Sequence, residues 1–228
     1  MKTIRKGDTG DEVKQLQSLL GIKSDGVFGA DTENKVMEFQ KKNDLVNDGI
    51  VGNKTWSKLL TNVNSIYRLN LIKSTRPIKE IILHCSATPK GEDYTVDDIR
   101  KCHLQRGFKD IGYHYYIYRD GSVHQGRNIN ENGAHTTNHN SNTIGVCYCG
   151  GCVSRNIPNW MNKPEDTRTP EQKESLFNLV IELIKLYGLK VEDVKGHYEY
   201  TKNKACPSFN MDEFRKELKN RLNKFCYI

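Results

Sequence analysis

Residue types that can hold a metal ion or attack a carbonyl group come together in one short stretch of the sequence. Residues 195–209 read KGHYEYTKNKACPSF and contain His197, Lys204 and Cys206. Far upstream, His84 follows the apolar residues of IILHCSAT, where a strand buried on both faces is predicted to end. Two neutral imidazoles and a thiolate would satisfy the ligand count of a catalytic zinc site that keeps a fourth position for water. Zinc binding by His84, His197 and Cys206 is therefore one hypothesis.

Two other interpretations stay open from the residues alone. Cys206 could act as a nucleophile with His197 or His84 as its base, as in a cysteine peptidase. Against this, Pro207 follows directly and no helix starts after Cys206, so the helix N-terminus that often lowers a thiol pKa is missing. In the third interpretation the loop is a binding surface for a peptide and performs no chemistry. Only the zinc hypothesis predicts stoichiometric zinc and full loss of activity with a chelator.

The elements around these residues predict an α/β domain with a mixed sheet covered by helices. GYHYYIYRDGSVHQG has the outline of a β-hairpin, NTIGVCYCGG reads as a strand, and YTVDDIRKCHLQRGF and MDEFRKELKNRL read as helices. The clearest helix is TPEQKESLFNLVIELIKLYG, where Thr169 and Gln172 form a capping box and Gly188 ends the helix. Functional residues are expected at strand ends and in loops.

The front of the chain contains a short internal repeat. Residues 25–32 (DGVFGADT) and 48–55 (DGIVGNKT) share one pattern, in which glycine supplies a position where φ can be positive and Asp or Thr is predicted to cap the following helix. The pattern predicts three short helices around a small core, an all-α domain over residues 1–60. Residues 61–78 are predicted to be a linker that partly packs on the second domain, residues 79–228.

Composition and charge limit the classes of partner. Lys and Arg number 35 against 28 Asp and Glu, a net charge of +7, spread along the chain without the concentrated basic stripe of a nucleic-acid binder. An anionic polymer such as a bacterial wall fits this charge. The N-terminus lacks the apolar core of a signal peptide and no stretch of about 18 apolar residues occurs, so we expect cytoplasmic synthesis and no membrane insertion. Seven cysteines, an odd number, argue against a purely structural disulfide framework.

The N-terminal sequence resembles a known wall-binding module. IRKGDTGDEVKQLQSLLG, SDGVFGADTENKVMEFQ and DGIVGNKTW look like the three-helix peptidoglycan-binding domain found at the ends of many wall hydrolases. The resemblance covers nearly the whole segment and implies a wall-anchoring role, without a defined set of ligand residues.

The rest of the chain resembles a family of wall hydrolases. IILHCSAT, DIGYHYYIYRDGSVHQGR, GAHTTNHNSNTIGVCYCGG and KGHYEYTKNKACPSF occur in this order and together resemble the zinc-dependent type-2 N-acetylmuramoyl-L-alanine amidases. That group includes phage lysozyme-amidases and the animal peptidoglycan recognition proteins. The resemblance spans residues 79 to about 216 and implies hydrolysis of the amide bond between the lactyl group of N-acetylmuramic acid and the L-alanine of the stem peptide.

The resemblance also implies roles for individual residues. His84, His197 and Cys206 match the positions of the ligands of one zinc ion. Tyr113 of GYHYYI and Lys204 of KAC match the catalytic pair. Lys204 would stabilise the oxyanion of the tetrahedral intermediate, a contribution of about 10²- to 10³-fold in rate. Tyr113 would orient the attacking water or bond to the oxyanion, since a phenol with a reference pKa of about 10 is a poor base near neutral pH.

Two further features of the same motifs concern the substrate and the cysteines. His135 and Asn140 match a loop that lines the substrate cleft in this family, and hydrogen bonds to the glycan or the lactyl-peptide are expected, with a structural loop role as the alternative. CYCGGC departs from the family pattern. Cys147 and Cys149 alternate onto one face of a strand and Cys152 follows, which favours buried thiols over a disulfide or a second metal site.

The combined expectation is a monomeric wall hydrolase with a peptidoglycan-binding domain tethered to a zinc amidase. Because no export signal is recognised, the pattern favours a phage or prophage endolysin that reaches the cell wall after release by a holin or by lysis. The alternative is a non-catalytic peptidoglycan recognition protein, since relatives that lose a zinc ligand still bind wall fragments. All three ligand positions are filled here, which argues against the alternative.

Overall fold

The computed structural model describes residues 2–66 and 71–225, and the chain forms two compact units, Met1–Arg68 and Leu69–Ile228. The last helix of the first unit continues to Ile66, so it runs past residue 60 into the predicted linker. The domain boundaries of the sequence analysis stay a prediction.

The first unit consists of three helices, as predicted: α1 (Asp11–Leu19), α2 (Ala30–Lys42) and α3 (Asn53–Ile66). Trp56 is buried and its indole nitrogen donates to the carbonyl of Lys2 at 2.9 Å, which ties the third helix to the start of the chain. Apolar side chains from all three helices and the turns between them form one small core, which consists of Ile4, Val13, Leu16, Phe28, Val36, Val51, Trp56 and Leu59.

A buried glutamine organises the first copy of the repeat. Gln17 Oε1 accepts from the backbone N–H of Gly26 at 2.8 Å, and its Nε2 donates to Asp25 Oδ1 at 2.8 Å and to Thr32 Oγ1 at 3.1 Å. The predicted helix cap is wrong here, because α2 begins after Gly29 without a side-chain cap. Thr32 lies inside the helix and is almost fully buried. Its hydroxyl accepts a hydrogen bond from Gln17 and so helps to hold the turn before the helix.

The second copy of the repeat has the same arrangement. Gln40 Oε1 accepts from Gly49 N at 2.9 Å, and Gln40 Nε2 donates to Asp48 Oδ1 at 2.9 Å and to Thr55 Oγ1 at 3.3 Å. Gln40 is 1% exposed, so these hydrogen bonds replace the ones that its side-chain amide makes to water in the unfolded chain. The repeat in sequence is therefore a repeated hydrogen-bond network in structure.

The second unit contains a mixed five-stranded sheet. Its strands lie in the order β4–β3–β5–β1–β7, with β3 antiparallel to β4 and the other neighbours parallel. A separate pair of short strands, β2 and β6, lies outside this sheet. The strands are β1 (Glu80–Cys85), β2 (Thr88–Pro89), β3 (Tyr115–Ile117), β4 (Val123–Gln125), β5 (Thr143–Tyr148), β6 (Gly151–Cys152) and β7 (Val194–Gly196).

Three helices accompany this sheet: α4 (Val96–Gln105), α5 (Pro170–Tyr187) and α6 (Met211–Phe225). The predicted start and stop of α5 are confirmed. Thr169 and Gln172 form the capping box, and Gly188 ends the helix in the left-handed conformation at φ 66°. In the described part of the chain no helix is long and apolar enough to cross a membrane.

Alternation along β5 separates two cores, since Val146 belongs to the larger one and Cys147 to the smaller one. Ile81 and Leu83 face the larger core, which includes the apolar stripe of α5 and residues of α6. The smaller core contains Val96 and Ile99 of α4 together with Cys147. Because β1 is buried along nearly its whole length, a polar side chain at its end must find its partners inside the protein. The predicted fold class, an α/β unit with a mixed sheet beside an all-α unit, is confirmed.

Candidate metal centre and cleft

Two of the predicted metal ligands meet because neighbouring parallel strands end at the same level. Leu83 of β1 lies opposite Gly196 of β7, and His84 and His197 each follow by one residue. Their ring centroids are 4.7 Å apart. The register of the sheet thus joins two histidines that are more than a hundred residues apart in sequence.

Cys206 reaches the same place from the loop after β7. The backbone N–H of Tyr198 donates to the carbonyl of Cys206 at 2.9 Å, and the N–H of Cys85 donates to its Sγ at 3.2 Å. The Sγ lies 3.6 Å from Nδ1 of His84. The loop is anchored further by Tyr148, whose hydroxyl donates to the carbonyl of Pro207 at 2.8 Å.

The geometry of the three side chains fits a zinc ion. One donor atom from each of His84, His197 and Cys206 lies within 4.8 Å of the other two. Tetrahedral zinc with Zn–N of about 2.0 Å and Zn–S of about 2.3 Å separates a nitrogen from a sulfur ligand by about 3.5 Å. The observed 3.6 Å between His84 Nδ1 and Cys206 Sγ matches this value.

The electrostatic state of the site suits a cation as well. Burial, with smaller contributions from nearby histidines, lowers the pKa of His84 well below its usual value. Burial and the ammonium group of Lys204 lower the pKa of His197. Both rings are therefore in the neutral form that binds metals. Burial raises the pKa of Cys206, and a bound cation would reverse this by favouring the thiolate.

Of the predicted catalytic pair, Tyr113 packs against a donor, and Lys204 lies two residues before Cys206 in the same loop. The ring of Tyr113 is 5.1 Å from that of His84, centroid to centroid. Desolvation and, to a smaller extent, the neighbouring thiol of Cys147 raise the pKa of Tyr113 well above its ordinary value. Lys204 is exposed, and its charge acts on His197. The site thus combines a protonated phenol with a nearby ammonium group.

His135 and Asn140 both make hydrogen-bond contacts within the protein near the site. Nδ1 of His135 lies 3.0 Å from Nε2 of His84, and the ring is buried. Asn140 Oδ1 accepts the backbone N–H groups of His135 and Thr136 at 2.9 and 3.0 Å. Their predicted substrate contacts stay a prediction. The sequence contains no separate signal for the bond between His84 and His135, because it joins residues 51 positions apart.

A cleft of about 280 Å³ opens beside the donors. Side chains that the sequence analysis did not assign contribute part of its wall, with Arg106 as a positively charged member. The lining residues are His103, Arg106, Phe108, Tyr113, Ala134, His135, Thr136, Thr137, Asn140 and His197. The cleft therefore opens onto His197 and Tyr113, and His103 of α4 forms part of its wall.

The three cysteines of CYCGGC are buried and not in disulfides. Cys147 and Cys149 lie in the smaller core with Tyr116, which agrees with their predicted place on one strand face. Within the described residues, these three cysteines are not members of the candidate metal group.

Comparison with protein families assigns the second unit. Residues 74–209 match the family model for N-acetylmuramoyl-L-alanine amidase, which is more than half of the chain. The chain belongs to the N-acetylmuramoyl-L-alanine amidase family. The enzyme class predicted from the four ordered motifs is confirmed. Residues 9–59 match a second model, described as "Putative peptidoglycan binding domain".

Individual relatives agree with the family assignment. This amidase is 38% identical over 132 residues to the endolysin of Klebsiella phage KP32, covering 58% of this chain and 82% of that protein. It is 38% identical over 131 residues to the endolysin of Escherichia phage T7, covering 58% and 81%. Among solved structures, N-acetylmuramoyl-L-alanine amidase LysC from Clostridium intestinale URNW matches with a TM-score of 0.51 at 29% identity, over 65% of this chain and 87% of that one.

Proposed function

We propose that this amidase cleaves the bond between the lactyl group of N-acetylmuramic acid and L-alanine in bacterial peptidoglycan, with one zinc ion held by His84, His197 and Cys206. The observation that carries the proposal is the convergence of these donors, from three separate segments, within 4.8 Å beside a cleft. When bound, zinc supplies a Lewis acid that acidifies water and polarises the scissile carbonyl.

The residues around the donors supply the remaining chemistry. The ammonium group of Lys204 stabilises the negative charge that develops on the carbonyl oxygen, a contribution of about 10²- to 10³-fold in rate. Tyr113 keeps its proton at neutral pH because its pKa is raised, so its phenol donates a hydrogen bond and is not a general base. It therefore orients the attacking water or bonds to the same oxyanion.

The cleft wall supplies contacts to the substrate. Asn140 lines the cleft, and its Oδ1 is already used by two backbone N–H groups. Its side-chain amide N–H groups are thus the part of Asn140 that we assign to the glycan or the lactyl-peptide. Arg106 on the same wall offers a cation to a carboxylate of the stem peptide.

We assign the first unit to peptidoglycan binding and the whole chain to the endolysins. The match of residues 9–59 to the peptidoglycan-binding model supports the first assignment. The phage endolysins among its relatives support the second. In this proposal the protein acts as a monomer on the cell wall after release by a holin or by lysis.

Mass spectrometry of digested muropeptides tests the reaction. The protein is expected to release stem peptides with free L-alanine amino termini, and a zinc chelator is expected to stop this until zinc is added back. Cys206→Ser should abolish cleavage while the variant still sediments with purified peptidoglycan. Release of new reducing sugar ends would contradict the proposal and indicate a glycosidase.

A further inference from the structure

The proposed ligand His84 makes a second buried contact on the side away from Cys206. Its Nδ1 faces the Cys206 Sγ at 3.6 Å, and its Nε2 lies 3.0 Å from Nδ1 of His135. A neutral imidazole carries one N–H and one lone pair. For Nδ1 to offer its lone pair to a metal, the proton must sit on Nε2. His135 Nδ1 at 3.0 Å is then its nearer acceptor, and the Thr136 hydroxyl at 3.5 Å is the more distant one.

The hydrogen bond at Nε2 of His135 determines whether Nδ1 of the same ring can accept the proton of His84. Its Nε2 lies 3.3 Å from Oγ1 of Thr143, and that hydroxyl donates to the backbone carbonyl of His139 at 2.5 Å. A carbonyl oxygen only accepts, and a hydroxyl has a single proton, so Thr143 Oγ1 is left as an acceptor for His135. The proton of His135 is therefore on Nε2, and the lone pair is on Nδ1, facing His84.

The opposite tautomer of His135 is disfavoured by the same contacts. A proton on Nδ1 would point at His84 Nε2 or at the Thr136 hydroxyl, 3.1 Å away. The Nε2 lone pair would then face Thr143 Oγ1, whose proton is already donated to His139. A buried acceptor without a donor is unfavourable, because it has lost its hydrogen bond to water and gained none in the protein.

We propose that His135 is a positioning residue of the metal centre: it accepts the Nε2 proton of His84 and so holds the ring and the tautomer that present Nδ1 to zinc. The inference rests on the zinc site of the proposed function, and it gives His135 a role inside the protein in addition to its place on the cleft wall. The hydrogen-bond order runs from His84 through His135 and Thr143 to the carbonyl of His139.

The position of the His135 ring is enforced by its surroundings. Asn140 Oδ1 accepts the N–H of His135 and that of the next residue, which fixes the backbone. A β-carbon added to Gly145 would lie 2.6 Å from two ring carbons of His135, and one added to Gly133 would also collide with the ring. Both positions need glycine because the imidazole occupies the space of their side chains.

The tautomers can be read directly in the unmodified, metal-free protein. Long-range ¹H–¹⁵N correlation spectra of the imidazole nitrogens are expected to show His84 and His135 both as the Nε2–H form. This measurement does not depend on amidase activity or on zinc. A protonated Nδ1 on His135 would overturn the proposal, whatever the reaction of the enzyme proves to be.

Variants connect the tautomer to metal binding. Zinc affinity, measured by competition with a chromophoric chelator, is expected to fall about 10- to 100-fold in His135→Leu and in Thr143→Val. His135→Asn keeps an acceptor oxygen close to the position of Nδ1 and should recover most of the affinity. Thr88→Val is the matched control, since Thr88 is also buried but bonds to Ser86. Its affinity should equal that of the unmodified protein.

The outcomes separate this inference from the proposed function. Unchanged zinc affinity in His135→Leu, with a raised KM for peptidoglycan fragments, would overturn the positioning role and leave a substrate contact. If His135→Leu binds zinc more weakly and the unmodified protein releases no L-alanine termini, the positioning role is upheld and the proposed reaction is refuted. If the unmodified protein bound no zinc, the metal site and the positioning role would both fail.

Discussion

Gly145→Ala is the substitution that tests the packing around the metal centre most directly. Gly145 lies in β5, and its φ is not positive, so the backbone itself accepts alanine. The three atoms nearest to the new methyl group would all belong to the ring of His135, with Cγ and Cδ2 at 2.6 Å and Nε2 at 2.9 Å. The expected effect therefore comes from displacement of one imidazole.

The size of the effect follows from the distances. Carbon atoms in contact are separated by about 3.5–4.0 Å, so the ring must move by about 1 Å. A shift of this size exceeds the width of the usual range of donor–acceptor distances, so the 3.0 Å contact between the two histidines would lose its hydrogen-bond geometry. Overpacking of this kind costs about 1–3 kcal/mol in unfolding free energy. If His84 is a zinc ligand as proposed, loss of this contact is expected to weaken zinc binding about 10- to 100-fold.

Stability and zinc affinity are measured on the full chain. Hydrogen exchange of the β1 and β5 amides reports unfolding of the second unit, and chelator competition reports zinc binding. The control is Gly145→Ala in a His135→Ala background, where the methyl group enters vacated space and should cost little stability. If Gly145→Ala lowers the stability equally in both backgrounds, the loss does not come from a collision with the His135 ring, and the reasoning is refuted.

Three other predictions concern catalysis, the repeat and pH. Lys204→Ala is expected to lower kcat about 10²- to 10³-fold with unchanged zinc content, measured by muropeptide release and metal analysis. Gln40→Leu leaves the buried N–H of Gly49 without its acceptor and should lower the stability of the first unit by about 1–3 kcal/mol, with Gln17→Leu as a matched variant of similar effect in urea unfolding. Burial lowers the pKa of His114 from 6.5 to about 4, so only the unfolded chain takes up this proton between those values. Its contribution to stability is complete above pH 6.5 and is lost as the pH falls towards 4, by about 1.4 kcal/mol per pH unit. His114→Gln should flatten that slope, and an unchanged slope would contradict the assignment.

Local chemistry made several elements predictable from sequence. The start of α5 depends on Thr169 and Gln172, three residues apart, and its end depends on Gly188, so the signals lie within the helix or directly beside it. The three helices of the first unit and the hairpin of β3 and β4 likewise follow from short patterns. The cap predicted at the Asp or Thr of the first repeat copy failed because α2 already begins at Ala30. The hydroxyl of Thr32 accepts instead from a buried glutamine of α1, fifteen positions earlier.

The candidate site was likewise predictable from the sequence only in part. The ordered motifs were sufficient to name His84, His197 and Cys206, because residue types and motif order are properties of the sequence. Which nitrogen of His84 faces the sulfur, and that His135 bonds to the other one, were decided only by the folded chain. Strand register and loop packing set those contacts to within a few tenths of an ångström between residues 51 and 122 positions apart. No local pattern encodes such distances, since they arise from how β1, β7 and the loop before β5 pack together.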